Sequence, residues 1–122
     1  MKTVFIYGTL RRGGRLHDYW MRHSDFIGTA FLPGAKLYDL GNDVPGIHPG
    51  EGIVKGELFR VTDETFKELL YLEYGYVDTP VTVEMEDGKE VEAIAFVWPD
   101  ISRGYGTSRT PTVVESGDWM NK

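Results

Sequence analysis

Val4-Phe5-Ile6-Tyr7-Gly8-Thr9-Leu10-Arg11-Arg12-Gly13 is an apolar run that breaks into a glycine-bearing loop. Thr3 to Tyr7 reads as a short strand, and Gly8 to Gly14 as the loop that leaves it. Such a turn delivers bare backbone to a fixed place. Its N–H groups can converge on one oxygen atom or one anion. It is not a Walker A loop, because no Gly-Lys-Ser/Thr closes it, and it lacks the spaced glycines of a dinucleotide fingerprint. Arg11, Arg12 and Arg15 are candidates for pairing with a phosphate or carboxylate. A solvated basic surface is the competing reading.

Outward from this loop the pattern alternates between strand and helix signals. Arg15 to His23 reads as a helix with Leu16, Tyr19 and Trp20 on one face. Phe26 to Phe31 and Ala35 to Leu40 read as strands around a Pro33-Gly34 turn. Gly41 to Gly52 is rich in Gly and Pro and reads as a loop, followed by a strand over Ile53 to Val61. Thr62 to Tyr71, or slightly beyond, is the clearest helix. Thr62 suits the N-cap, Asp63 and Glu64 suit the first turn, and Phe66, Leu69 and Leu70 form an apolar stripe. Val81 to Met85 and Glu90 to Trp98 flank Asp87-Gly88, a hairpin signal. Asp100 to Thr112 reads as a polar loop, and Val113-Val114 as a last short strand.

These elements give about six strands with one or two flanking helices and no strict strand–helix alternation. The expected class is α+β, with the strands curling into a small barrel. The 122 residues suit one domain over 1–122 with one hydrophobic core. The 15 Gly and 13 Tyr plus Phe fit many strands and tight turns.

Net charge is −6, from 13 basic and 19 acidic residues, which argues against a general nucleic-acid binder. The absence of Cys excludes a disulfide framework, a thiol nucleophile and a zinc–thiolate site. The N-terminal apolar run is too short for a signal peptide or a membrane span, so the cytoplasm is the default expectation. His17, His23 and His48 show no metal-ligand spacing, and no G-x-S-x-G elbow is present. Tyr38, Tyr76 and Tyr105 are possible pocket residues that nothing in the sequence singles out.

Glu73 stands out chemically. It lies three residues after Leu70 and four after Leu69, so helical geometry puts it on the apolar stripe at the C-terminal end. Desolvation and the negative end of the helix dipole would both raise its pKa. A glutamate tuned upward can take and return protons near neutral pH. If the helix ends sooner, the side chain lies in solvent.

Together these stretches resemble the gamma-glutamylcyclotransferase-like family. The opening strand with Tyr7-Gly8-Thr9-Leu10-Arg11-Arg12-Gly13 looks like the family's most recognisable motif. Further matches are Pro49 to Val61, the helix ending Leu69-Leu70-Tyr71-Leu72-Glu73, and Val114-Glu115-Ser116-Gly117-Asp118-Trp119. The resemblance spans nearly the whole chain, in order. Many members carry Asp three residues before the catalytic Glu and Gly directly after it; here Leu70 and Tyr74 stand there, with Gly75 one residue late.

The resemblance implies a small mixed barrel with flanking helices. It also implies an enzyme of the acyltransferase or lyase type that cyclises a gamma-glutamyl compound to 5-oxoproline and releases an amine or amino acid. Tyr7, Gly8, Thr9 and Leu10 would bind the glutamyl group through their backbone, and Glu73 would be the general acid/base. The substrate's own α-amine is the nucleophile, so no metal or organic cofactor is expected. A small-molecule partner is expected, with no nucleic acid and no membrane, and the oligomeric state is open. Two alternatives stand: a non-catalytic protein binding a glutamyl-like or carboxylate ligand on this fold, and a phosphate site at Arg11, Arg12 and Arg15.

Overall fold

In the computed structural model, which describes residues 1–122, strand β1 (Lys2–Ile6) is buried on both faces. Side chains alternate across a strand. Phe5, and Tyr7 just beyond the strand, belong to one apolar cluster; Val4 and Ile6 belong to a second. The first cluster fills the interior of a barrel with Leu37, Ile47, Val54, Leu58 and Val83. The second lies between the barrel wall and the helices.

Two antiparallel hairpins build the barrel. Strands β2 (Ser24–Asp39) and β3 (Pro45–Val61) form the longer one, and β4 (Val77–Met85) and β5 (Glu90–Val97) the shorter. Strand β1 runs antiparallel to β3 and meets β5 in parallel at Val4–Ile94. Strand β2 also pairs with β4 at Ala30–Met85 and Phe31–Glu84. The circuit β1-β3-β2-β4-β5 therefore closes, and β6 (Thr112–Val113) adds to β2 outside it. The expected mixed barrel-like α+β fold is what the chain adopts.

Helix α1 (His17–Trp20) and helix α2 (Asp63–Leu72) flank the barrel. The Thr62 hydroxyl caps α2 by accepting the Thr65 N–H at 3.1 Å. Phe66 and Leu69 lock the helix onto Val4, Ile6 and Phe96. No helix is long and apolar enough to cross a membrane.

Four local expectations need correction. Pro33-Gly34 does not end a strand: pairing continues from Pro33–Ile53 to Ala35–Pro49, and Gly34, at φ +77°, absorbs a bulge. Gly50, Glu51 and Gly52 are the surplus residues on β3, and such bulges bend strands around a barrel. Gly41 to Gly52 is mostly strand, and only residues 40–44 form the connection. Gly46 is needed there for close packing, since a methyl group on it would meet Leu40 Cδ1 at 2.7 Å. Helix α1 is a single turn rather than Arg15 to His23. Leu16 at its N-cap offers no capping side chain, and the loop before it is already closed by backbone bonds from Gly14 to Arg11 and from Leu16 to Thr9. Leu70 lies largely outside the apolar stripe at 39% exposure, and Thr65 is buried instead.

Candidate active site

The loop after β1 and the end of α2 open onto one cavity of about 260 Å³. Its floor is made by Phe5, Ile6, Tyr7, Gly8, Leu10 and Phe96, all buried. Thr9, Leu72, Glu73, Tyr76 and Tyr105 complete the wall, with Val44, Pro45, Arg15 and Leu16 toward the opening.

The loop owes its course to sequence. Gly8 packs so closely on the β2–β3 hairpin that a methyl group there would come within 2.3 Å of Pro45 Cγ. The Gly8 carbonyl accepts from Arg11 N–H at 3.0 Å, and the Thr9 carbonyl from Leu16 N–H at 3.1 Å. The N–H groups of Gly8, Thr9 and Leu10, by contrast, donate to no acceptor in the chain. Three successive free donors lining a cavity can receive an anion or a developing oxyanion.

Glu73 caps α2. Its N–H donates to Leu69 O at 2.8 Å, its carbonyl accepts from Tyr76 N–H at 3.0 Å, and Gly75 takes the left-handed φ of +95° that turns the chain into β4. The residue as a whole is half-buried, and its carboxyl end is the deeper part. It takes part in no ion pair, and burial alone pushes its pKa up to about 7. The carboxyl can therefore exchange a proton near neutrality.

Two tyrosines face the same space. Tyr7 donates its hydroxyl to Phe96 O at 2.6 Å, and Tyr76 donates to Pro45 O. Burial raises both pKa values well above the ordinary tyrosine range, and the Glu73 charge adds to each shift. Both hydroxyls stay protonated and act as braces, not bases. Tyr76 also packs edge-on against Trp98 at 5.1 Å and beside Tyr105 at 6.1 Å. Tyr105 is held by its N–H on Leu40 O, and Trp98 Nε1 by Arg103 O, so the polar segment after β5 is tied to the barrel.

Tyr7, Gly8, Thr9, Leu10 and Glu73 are thus brought together around one cavity. Leu70 and Tyr74, where the chain departs from the resemblance, do not line it; Tyr74 is 82% exposed. Two of the three arginines are engaged elsewhere. Arg11 is buried and reaches Asp118 Oδ1 at 2.7 Å and Glu57 Oε2 at 3.8 Å. Arg12 lies 3.5 Å from Glu57 Oε2 and stacks over Phe26. A phosphate site built from all three arginines is therefore ruled out, and Arg15 alone lines the cavity.

Tyr76 and Tyr105 line the site, whereas Tyr38 does not. Sequence reasoning did not find Phe96, Val44 or Pro45, since only the closure of the barrel brings them to the loop. His17 Nδ1 meets Leu10 O at 2.8 Å and His48 Nδ1 meets Trp98 O at 2.8 Å, so both brace backbone. No group of three or more His, Asp or Glu side chains is arranged to hold a metal ion.

The family model described as gamma-glutamyl cyclotransferase, AIG2-like, matches residues 4–121. A provisionally named gamma-glutamylcyclotransferase of Vibrio cholerae is 34% identical over 125 residues, covering 98% of this chain and 96% of the relative. Another, from Methanocaldococcus jannaschii, is 33% identical and covers 99% and 98%. Among solved structures, the uncharacterized protein PH0828 of Pyrococcus horikoshii superposes with a TM-score of 0.75 at 27% identity, covering 99% of this chain and 92% of that one. This chain belongs to the gamma-glutamyl cyclotransferase, AIG2-like family.

Proposed function

We propose that the protein is a gamma-glutamyl cyclotransferase that converts a gamma-glutamyl compound into 5-oxoproline and a free amine or amino acid. The observation that carries this reading is the meeting of Glu73 with the unpaired N–H groups of Gly8, Thr9 and Leu10 in one cavity. A space of about 260 Å³ suits a glutamyl group with a small leaving group.

At neutral pH the substrate's α-amine is mostly ammonium and cannot attack. Glu73, ionised, accepts one of its protons. The freed nitrogen attacks the γ-carbonyl carbon, and the carbonyl oxygen gathers charge opposite the Gly8–Leu10 N–H groups. Collapse breaks the bond to the leaving nitrogen, which takes the proton back from Glu73. The loop holds the glutamyl chain bent so that nitrogen and carbonyl meet, which supplies proximity. No outside nucleophile enters the balance.

The direct test is Glu73→Gln, assayed for 5-oxoproline by mass spectrometry with gamma-glutamyl substrates. The expected variant is folded and forms no product. Turnover equal to that of the unaltered protein would falsify the assignment.

A further inference from the structure

We infer that Arg15 holds a carboxylate on the leaving group, so that the favoured substrates release an amino acid and not an uncharged amine. This rests on the cyclotransferase reading above. Arg15 is the only arginine that lines the cavity, and it makes no hydrogen bond or ion pair within the chain. It is solvent-exposed, whereas Tyr7, Gly8, Leu10 and Phe96 form the buried floor. Arg15 therefore stands at the opening of the cavity and Glu73 in its wall.

That order matches a substrate lying along the cavity. The glutamyl α-ammonium must sit by Glu73, and the γ-carbonyl must sit by the Gly8–Leu10 backbone. The leaving nitrogen and what it carries then point to the opening. A planar guanidinium with no partner is suited to a carboxylate there. The other charged groups at the opening do not cancel it. Asp43 is paired with Lys122 at 2.7 Å. That hydrogen bond is the main reason the Asp43 carboxyl lies below its usual range, and the Arg15 charge adds a smaller part. The opening carries Arg15 and Lys122 against Asp43, so it is net positive.

The test compares gamma-glutamyl-alanine with gamma-glutamyl-ethylamine, which differ by one carboxylate on the leaving group. Arg15→Gln is expected to lose about tenfold in kcat/KM on the alanine compound, mainly through KM, the scale of one charge-assisted hydrogen bond. On the ethylamine compound it should match the unaltered protein, and Arg15→Lys should recover part of the loss. Equal loss on both compounds overturns the inference, because Arg15 would then be reading the glutamyl carboxylate they share. So does no loss on either. If the unaltered protein turns over neither compound, the cyclotransferase reading fails and calorimetry decides this one. Tighter binding of the alanine compound, abolished by Arg15→Gln, upholds it, and equal or absent binding overturns it.

Discussion

Arg11 and Asp118 lie 107 residues apart in sequence and meet at 2.7 Å between Nη1 and Oδ1. The pair ties the loop after β1 to the C-terminal turn. Glu57 on β3 joins it: Glu57 Oε1 accepts the Arg12 N–H at 2.9 Å, while Lys55 Nζ lies 3.9 Å from Asp118 Oδ2. Breaking a largely buried pair leaves one charge without compensation. Asp118→Ala is therefore expected to lower stability by about 3 kcal/mol, read as a shift in denaturant midpoint at constant m-value. A change below about 0.5 kcal/mol would mean the pair behaves like a surface bridge.

The same pair makes a pH prediction. Burial by itself would raise the Asp118 pKa, but the Arg11 hydrogen bond, the Met120 N–H and the Arg11 and Lys55 charges together outweigh it and hold the value low. A depressed folded-state pKa contributes stability above the unfolded value and loses it as pH falls through the folded one. Asp118→Asn should therefore flatten the acid limb of stability below about pH 4. Urea melts of both proteins at pH 3 and pH 6 give the comparison, and parallel acid limbs would remove the pair as their source.

What the sequence disclosed follows the range of the interactions involved. Helix α2 was legible because its cap, first-turn acids and apolar stripe are all local to residues 62–73. The Asp87-Gly88 hairpin was legible for the same reason, with Gly88 at φ +85°. Pro33-Gly34 misled because a glycine at positive φ serves a turn and a bulge equally, and only the partner strand decides between them. Pro45 to Gly52 misled because those glycines answer close contacts such as Gly46 with Leu40, which no local pattern reports. The site divides in the same way. Glu73 and the Tyr7–Leu10 loop could be named, whereas Phe96 and Pro45 join them only through barrel closure. The burial of Arg11 was equally hidden, since its partners Glu57 and Asp118 are remote in sequence.

Glu73 should cost stability when ionised. Its folded pKa of about 7 lies above the ordinary glutamate value, so the unfolded chain ionises first as pH rises. Stability is then lost progressively from about pH 4.5 to about pH 7 and the loss stays constant above. Glu73→Gln should relieve it, giving a gain on the order of 2–3 kcal/mol at pH 8 and little at pH 4. Paired denaturation curves at the two pH values measure this without any substrate. A gain of the same size at both would trace it to packing rather than to proton linkage.

Activity should follow the same group in the opposite sense. The attacking amine must be deprotonated by an ionised Glu73, so kcat/KM should rise with pH and bend near 7. Weakening the shield around the carboxylate should move that bend. Tyr76→Phe removes the hydroxyl bond to Pro45 O and loosens the wall beside Glu73. It should admit water, shift the bend toward the ordinary glutamate range, and cost about 1 kcal/mol in stability. A full pH–rate profile of both proteins is the measurement, and an unmoved bend would detach Tyr76 from the tuning of Glu73.

Gly8 offers the sharpest structural test of the loop. Its φ lies outside the left-handed range, so alanine is conformationally allowed there and the objection is purely spatial. A methyl group on Gly8 would stand 2.3 Å from Pro45 Cγ, well inside contact distance. Gly8→Ala should therefore push the loop away from the β2–β3 hairpin, displace the N–H groups of Gly8, Thr9 and Leu10, and lower stability by about 1–3 kcal/mol. Removing the opposing ring should undo much of this. The double variant Gly8→Ala, Pro45→Gly should recover loop position and 5-oxoproline formation relative to Gly8→Ala alone, although Pro45→Gly by itself frees backbone and lowers stability. A double-mutant cycle on stability and on kcat isolates the contact, with a favourable coupling of 1 kcal/mol or more expected, in the range for residues in direct contact. Additive effects would show that Gly8 is required for something other than the approach of Pro45, such as the approach of the substrate to its backbone.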